Sequence, residues 1–134
     1  MLFRSWQDGD EIILQMPMPV RIWNADPRVR ENIGQVAFTR GPVTFCAEQA
    51  DNGENLHLLR VEDLDPAHVL VEKDDAFGHG TVRLIVNGKR IVPQKGGLYR
   101  AASAPVEEDA QIVLVPYYAW ANRGEGEMKV WLRS

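Results

Sequence analysis

Short apolar runs separated by turn-forming residues recur along the whole chain, the pattern left by strands of a sandwich or barrel. Ile12, Leu14 and Met16 alternate with Ile13 and Gln15, and Val20 to Trp23 follow after Pro17 and Pro19. Proline cannot donate to a ladder, so this pair marks an edge, a bend or a bulge. Val36-Ala37-Phe38 and Val43-Thr44-Phe45-Cys46 flank Arg40-Gly41-Pro42 as two strands around a tight connection. Further runs lie at Leu56 to Val61 and at His68 to Glu72. Val82 to Val86, Asn87-Gly88 and Lys89 to Val92 predict a hairpin, because Asn-Gly tolerates the positive φ angles of a two-residue turn. Ile112 to Val115 and Met128 to Leu132 complete the set.

One segment breaks the β pattern. Asp26 suits a helix cap, Pro27 its first turn and Gly34 its exit, so a short helical turn is expected there. No repeat, low-complexity stretch or interdomain linker interrupts the rest. The expected fold is therefore a single all-β domain over residues 1–134, an antiparallel β-sandwich of jelly-roll type with at most one short helical turn.

Size and charge narrow the function classes. A chain of 134 residues can bury roughly two-thirds of its unfolded surface, so a core needs no metal or disulfide to hold it. The net charge of −4 is spread along the chain without a basic stripe, which argues against nucleic acid as a partner. No apolar run reaches the ~20 residues of a membrane-spanning helix, and residues 1–6 lack the basic and apolar regions of a signal peptide. Expectation at this stage is a cytoplasmic location away from membranes.

Candidate chemistry is sparse. Asp8, Asp10 and Glu11 sit beside a glycine and read as a turn. Glu48 could project from the end of a strand, but nothing in the sequence pairs it with the second carboxylate that glycoside hydrolysis needs. Cys46, the only cysteine, reads as a buried, inert thiol. His57, His68 and His79 lack metal-ligand spacing, and the Asp51–Asn55 loop reads as an Asx-rich turn rather than a calcium loop. No catalytic residue, metal or cofactor is assigned. The aromatic residues admit two readings. Tyr117, Tyr118, Trp120 and Trp131, with Trp6 and Trp23, serve either as packing or as a stacking platform for a saccharide. In the second case Tyr118, Trp120 and Trp131 stack on the sugar, and Asn122, Arg123 and Glu127 supply polar contacts. Period-two alternation over 128–132 sets Trp131 with Lys129 and Arg133 on the wetter face.

Several of these stretches carry a family resemblance. Trp6-Gln7-Asp8-Gly9-Asp10 with Leu14-Gln15-Met16-Pro17-Met18 resembles the start of a β-sandwich in the family 127 glycoside hydrolases. Pro27-Arg28-Val29, Asn32 to Ala37 and Arg40-Gly41-Pro42-Val43 are similar to that family's next signature. Pro116 to Gly124, then Gly126-Glu127-Met128 and Trp131, looks like its C-terminal one.

The resemblance implies a bacterial hydrolase of β-L-arabinofuranosides whose active site lies in an (α/α)6 barrel preceding this region. That site uses a cysteine nucleophile, a glutamate and a zinc ion held by further cysteines and a carboxylate. None of the barrel is in this sequence, and Cys46 belongs to the sandwich signature, so the nucleophile's role does not carry onto it. The resemblance thus implies a fragment, a truncated product or part of a split enzyme. Its first expected role is a non-catalytic accessory domain whose partner is the catalytic barrel, in cis or in trans, with self-association near Tyr117 to Trp120. The alternative is a stand-alone carbohydrate-binding module.

Overall fold

In a computed structural model describing residue 5, residues 7–78 and residues 80–134, nine strands form one sheet. Residues 1–4, Trp6 and His79 lie outside the described residues, and with them the first tryptophan of the family signature and one of the three histidines. The strands are β1 (Val20–Asn24), β2 (Gln35–Arg40), β3 (Val43–Glu48), β4 (Leu59–Val61), β5 (Leu70–Lys73), β6 (Val82–Ile91), β7 (Glu107–Pro116), β8 (Met128–Lys129) and β9 (Leu132–Arg133).

The all-β class holds, but the expected two-sheet sandwich does not. Strands β2, β9, β4, β6, β7 and β3 pair in sequence, and β3 pairs back to β2. The six close into a barrel, with β1, β5 and β8 added on β2, β6 and β3. Closure works because β2, β3 and β6 each share one edge between two partners. On β6, for example, residues 82–85 pair with β5 and residues 88–90 with β4. Closing the ring removes most free edges of the sheet.

The inward-facing set follows period-two alternation. Val36 and Phe38, Phe45 and Ala47, Leu59 and Val61, Leu84 and Val86, and Ile112 and Leu114 all lie in one buried cluster with Leu56 and Leu132. Each fully buried Leu, Ile, Val or Phe contributes roughly 1.5–3 kcal/mol, so this interior is what stabilises so small a barrel.

The predicted hairpin at Asn87-Gly88 is overturned. β6 runs straight through it, with Asn87 opposite Gln111 and Gly88 opposite Ala110 on β7. Gly88 extends the inward row of Leu84 and Val86, and a Cβ placed on it would lie 2.3 Å from the Arg60 carbonyl oxygen and 2.8 Å from Ile112 Cδ1. The glycine is there for the close approach of β4, not for a positive φ. The chain reverses instead through residues 92–106, closed by Val92 N donating to Val106 O at 2.8 Å.

Three other expectations change. The run Ile12 to Met16 forms no strand and stands in solvent. The run Met128 to Leu132 bends at Val130-Trp131, so β8 joins β3 while β9 joins β2 and β4. Trp131 is half-buried instead of lying on a wet face. Helical turns also outnumber the single one expected. A 3-10 turn forms at Arg30–Asn32, and others at Leu56–Leu58, Pro66–His68, Asp75–Phe77 and Tyr117–Ala119; one α-helical turn, α1, spans Gln49–Asn52. Most are three residues long, too short to impose a helical period on the sequence. Asp26 accepts from Arg28 N and pairs with its guanidinium, fixing the bend before the first turn.

No helix among the described residues is long and apolar enough to cross a membrane.

These features predict opposite outcomes at neighbouring positions. Gly88→Ala should cost about 1–3 kcal/mol in urea denaturation, because the β4 backbone must move. Asn87→Thr, exposed in mid-strand, should be neutral or stabilising by a few tenths of a kcal/mol. A turn at 87–88 would reverse that second result.

Candidate functional site

The loop from Pro116 to Glu127 carries most of the aromatic and polar candidates and packs on the turn that follows β3. After the 3-10 turn Tyr117–Ala119, Ala119 is buried while Tyr117, Tyr118 and Trp120 are exposed. The Tyr117 and Trp120 rings lie 6.5 Å apart, tilted by 40°. Ala121 takes a left-handed conformation at φ 64°, which costs energy for a residue with a Cβ. A hydrogen bond compensates: Ala121 N donates to Glu48 Oε1 at 2.7 Å.

Arg123 is the centre of this region. Its guanidinium donates to Glu48 and to Asp51, the latter in a two-pronged pair with one contact of 2.7 Å, and lies 4.7 Å above the Phe77 ring. The two carboxylates hold the guanidinium well above its ordinary proton affinity, Asp51 contributing most. Glu48 is one of two buried polar residues among the described residues, and Arg123 with Ala121 N satisfies it. A two-pronged guanidinium–carboxylate pair fixes position as well as charge.

Glu127 closes the other end. Its carboxylate accepts from Leu56 N at 2.7 Å and Asn55 N at 3.0 Å, which cap the turn Leu56–Leu58. These backbone donors hold the Glu127 carboxyl below its ordinary value of 4.5, Leu56 N first. Gln49 and Glu127 also exchange a reciprocal pair: Gln49 N donates to Glu127 O at 2.9 Å, and Glu127 N to Gln49 Oε1 at 3.0 Å. Asn52, next on α1, bonds to both the N–H and the carbonyl of Val113 on β7.

Between these anchors lies an open groove of 580 Å³, lined by Glu48, Gln49, Trp120, Arg123, Glu125 and Glu127 among others. Of the six residues of the saccharide reading, Trp120, Arg123 and Glu127 line this groove together. Tyr118 and Asn122 line an adjoining depression with Phe77, and Asn122 Nδ2 is occupied by Ala119 O at 2.9 Å. Trp131 lines neither. The sequence reading missed Gln49, Asp51 as a partner of Arg123, Asn52 and Phe77. Only the polar character of 49–55 hinted at them.

A general acid needs a carboxyl held protonated near neutral pH, whereas Glu127 is shifted the opposite way; Glu48 accepts from Arg123 and Ala121 N, and Glu125 stands exposed at the rim. Cys46, on the neighbouring β3 position, is fully buried, and burial first, then the charge of Glu48, pushes its thiol up to about 12. As expected from the sequence, it is buried. No group of three or more His, Cys, Asp or Glu side chains among the described residues is arranged to hold a metal ion.

Two predictions follow from these anchors. Arg123→Ala should cost about 2 kcal/mol by leaving Glu48 buried beside an unneutralised Asp51. In a double-mutant cycle with Glu48→Ala the coupling should be about 1 kcal/mol or more by denaturant titration. Glu127 stabilises the fold above its ordinary value, and that contribution disappears as pH falls through its lower folded value. Melting curves between about pH 5 and pH 3 should fall less steeply for Glu127→Gln than for the wild type.

Comparison with known proteins places this geometry in a family. Residues 20–133 match the glycoside hydrolase family 127 C-terminal domain. A non-reducing end β-L-arabinofuranosidase of Bifidobacterium longum subsp. longum is 41% identical over 131 residues, covering 94% of this chain and 20% of that enzyme. A solved family 127 β-L-arabinofuranosidase from Geobacillus stearothermophilus T6 superposes with a TM-score of 0.76 at 38% identity, over 87% of this chain and 18% of its own. A second solved family 127 β-arabinofuranosidase gives a TM-score of 0.68 at 35% identity, over 87% and 17%. The chain thus spans about a fifth of the length of the relatives it matches. It belongs to the glycoside hydrolase family 127 C-terminal domain family.

Proposed function

We propose that this chain is a non-catalytic accessory domain of a β-L-arabinofuranosidase-like glycoside hydrolase, acting as a support for a catalytic domain. The observation that carries this reading is the state of the candidate catalytic groups. Glu48 and Asp51 are both bound to Arg123, Glu127 caps a backbone turn, and the Cys46 thiol is buried. Apart from Glu125, which stands exposed at the rim, the carboxylates at the groove are occupied in holding the loop 117–127 and its neighbours in place. A parent enzyme would release arabinofuranose from non-reducing ends, as the name of the Bifidobacterium relative indicates for that protein.

A second reading rests on one specific feature. Trp120 is 40% exposed at the rim of the groove, beside Gln49 and Glu125. An indole face with neighbouring amide and carboxylate groups suits a sugar ring, whose C–H face stacks and whose hydroxyls hydrogen-bond. On this reading the groove is a saccharide subsite and the chain a carbohydrate-binding module, with Tyr118 and Asn122 outside the contact.

Both readings predict that the purified chain leaves a chromogenic β-L-arabinofuranoside intact at the rate of the buffer blank. Release of product that vanishes in Glu48→Ala or Cys46→Ala would overturn the accessory assignment. Ligand-observed NMR against arabinose-containing oligosaccharides separates the two. Saturation transfer lost in Trp120→Ala supports the module; a blank panel leaves support of a catalytic domain as the role.

A further inference from the structure

The segment before β1 departs from the barrel. Its last anchor is at the β2–β3 turn, where Gly41 N donates to Pro19 O at 2.9 Å and a Cβ on Gly41 would fall 2.4 Å from Met18 Sδ. Upstream, residues 11–17 make no hydrogen bond, ion pair or ring contact among the described residues. Ile12, Ile13, Leu14 and Met16 are nonetheless 72%, 81%, 74% and 72% exposed. Single exposed apolar side chains are ordinary, but four within five residues form a patch that calls for a partner.

The pattern of the segment identifies the partner's chemistry. In an extended chain Ile12, Leu14 and Met16 share one face and Ile13 lies on the other, with Gln15 as the one polar position. Apolar residues on both faces suit a strand covered on both sides. Five residues are an ordinary strand length, and Pro17 and Pro19 stop the ladder before β1 begins. Two comparisons bear on where that strand belongs. The family's C-terminal domain match begins at Val20, the first residue of β1, so the segment lies outside that domain. Yet the likeness to the Bifidobacterium enzyme covers 94% of the chain, more than the residues from Val20 onward can supply, so it takes in the segment too. That enzyme carries about four-fifths of its length beyond the match.

We propose that residues 12–16 form a β-strand of a neighbouring domain of a family 127 enzyme, added to an open sheet edge outside this chain and stitching the two domains together. The partner is a sheet edge with unpaired backbone groups and an apolar face, which receives Ile12, Leu14 and Met16 while backbone hydrogen bonds fix the register. The proposal rests on the accessory-domain reading and deepens it.

The test replaces the matching stretch of the Bifidobacterium enzyme with this chain and follows amide hydrogen exchange in the chimera and in the isolated chain. In the isolated chain the amides of residues 12–16 should exchange freely. In the chimera they should slow by about 100-fold or more. The double variant Ile12→Ser/Leu14→Ser should lower the chimera's Tm by about 3 °C or more while moving that of the isolated chain by less than about 1 °C. A folded, active chimera whose segment still exchanges freely overturns the strand and leaves the accessory reading standing. A chimera that neither folds nor hydrolyses overturns both. The isolated chain provides an independent check. Protection already present in its monomer, or a clear loss of Tm in the double variant, assigns the segment to this domain's own packing and overturns the proposal. A dimer in light scattering that Leu14→Asp dissociates gives the segment a second copy as partner and overturns it as well.

Discussion

The barrel depends on one close approach. At Gly88 the backbone of β4 lies against β6 with no room for a side chain, and the Arg60 carbonyl occupies the place a Cβ would take. Only with β4 that near can its three residues pair with β6 on one side and β9 on the other. The β4–β9 contact is a single parallel pairing at Arg60 and Arg133, the weakest link of the ring. A strand so short is held by its place: Leu59 and Val61 point into the core, and Arg60 points out to a two-pronged pair with Glu107. The interior closes around a missing atom as much as around the side chains present.

The outer groove follows a different rule, in which polar groups secure the loop from outside. Glu48, Asp51, Gln49 and Glu127 all bond across the junction between the β3 end and the 117–127 loop, and no buried side-chain nitrogen or oxygen among the described residues lacks a partner. Such a network leaves little chemistry free. A carboxylate that holds a cation or caps a turn has its lone pairs directed by that task. The same network ties these groups to the loop, while Trp120 and Glu125 stay open to solvent at its rim.

Much of the barrel was legible in period-two alternation. The pairs Val36/Phe38, Phe45/Ala47 and Ile112/Leu114 stand out in the sequence and lie together in the core. Where the reading failed, a local signal competed with a distant one. Asn87-Gly88 carries the chemistry of a turn, but the glycine answers to Arg60 and Ile112, far away along the chain. The split of Met128 to Leu132 between two partners has no local cue, since Met128, Val130 and Leu132 alternate in the sequence with Lys129, Trp131 and Arg133 straight through the bend. At the groove, Trp120, Arg123 and Glu127 were legible because they cluster in one loop. Their partners Gln49, Asp51 and Phe77 come from elsewhere in the chain, and only folding brings them there.

The buried thiol has a practical consequence. Cys46 is the only cysteine of the chain, has no solvent exposure and is far from ionised at neutral pH. Phe45 and Ala47 on either side of it face the core and Cys46 does not, so an alkylating reagent must wait for the cover on the outer side of β3 to lift before it can react. Glu48, two residues on and on the same face of β3, is bound by Ala121 N and Arg123, so the thiol lies beside the anchor of the 117–127 loop and not in the barrel interior. The rate at which this single sulfur becomes modified is a built-in clock for the opening of that cover, readable in a cell extract without purification or a label.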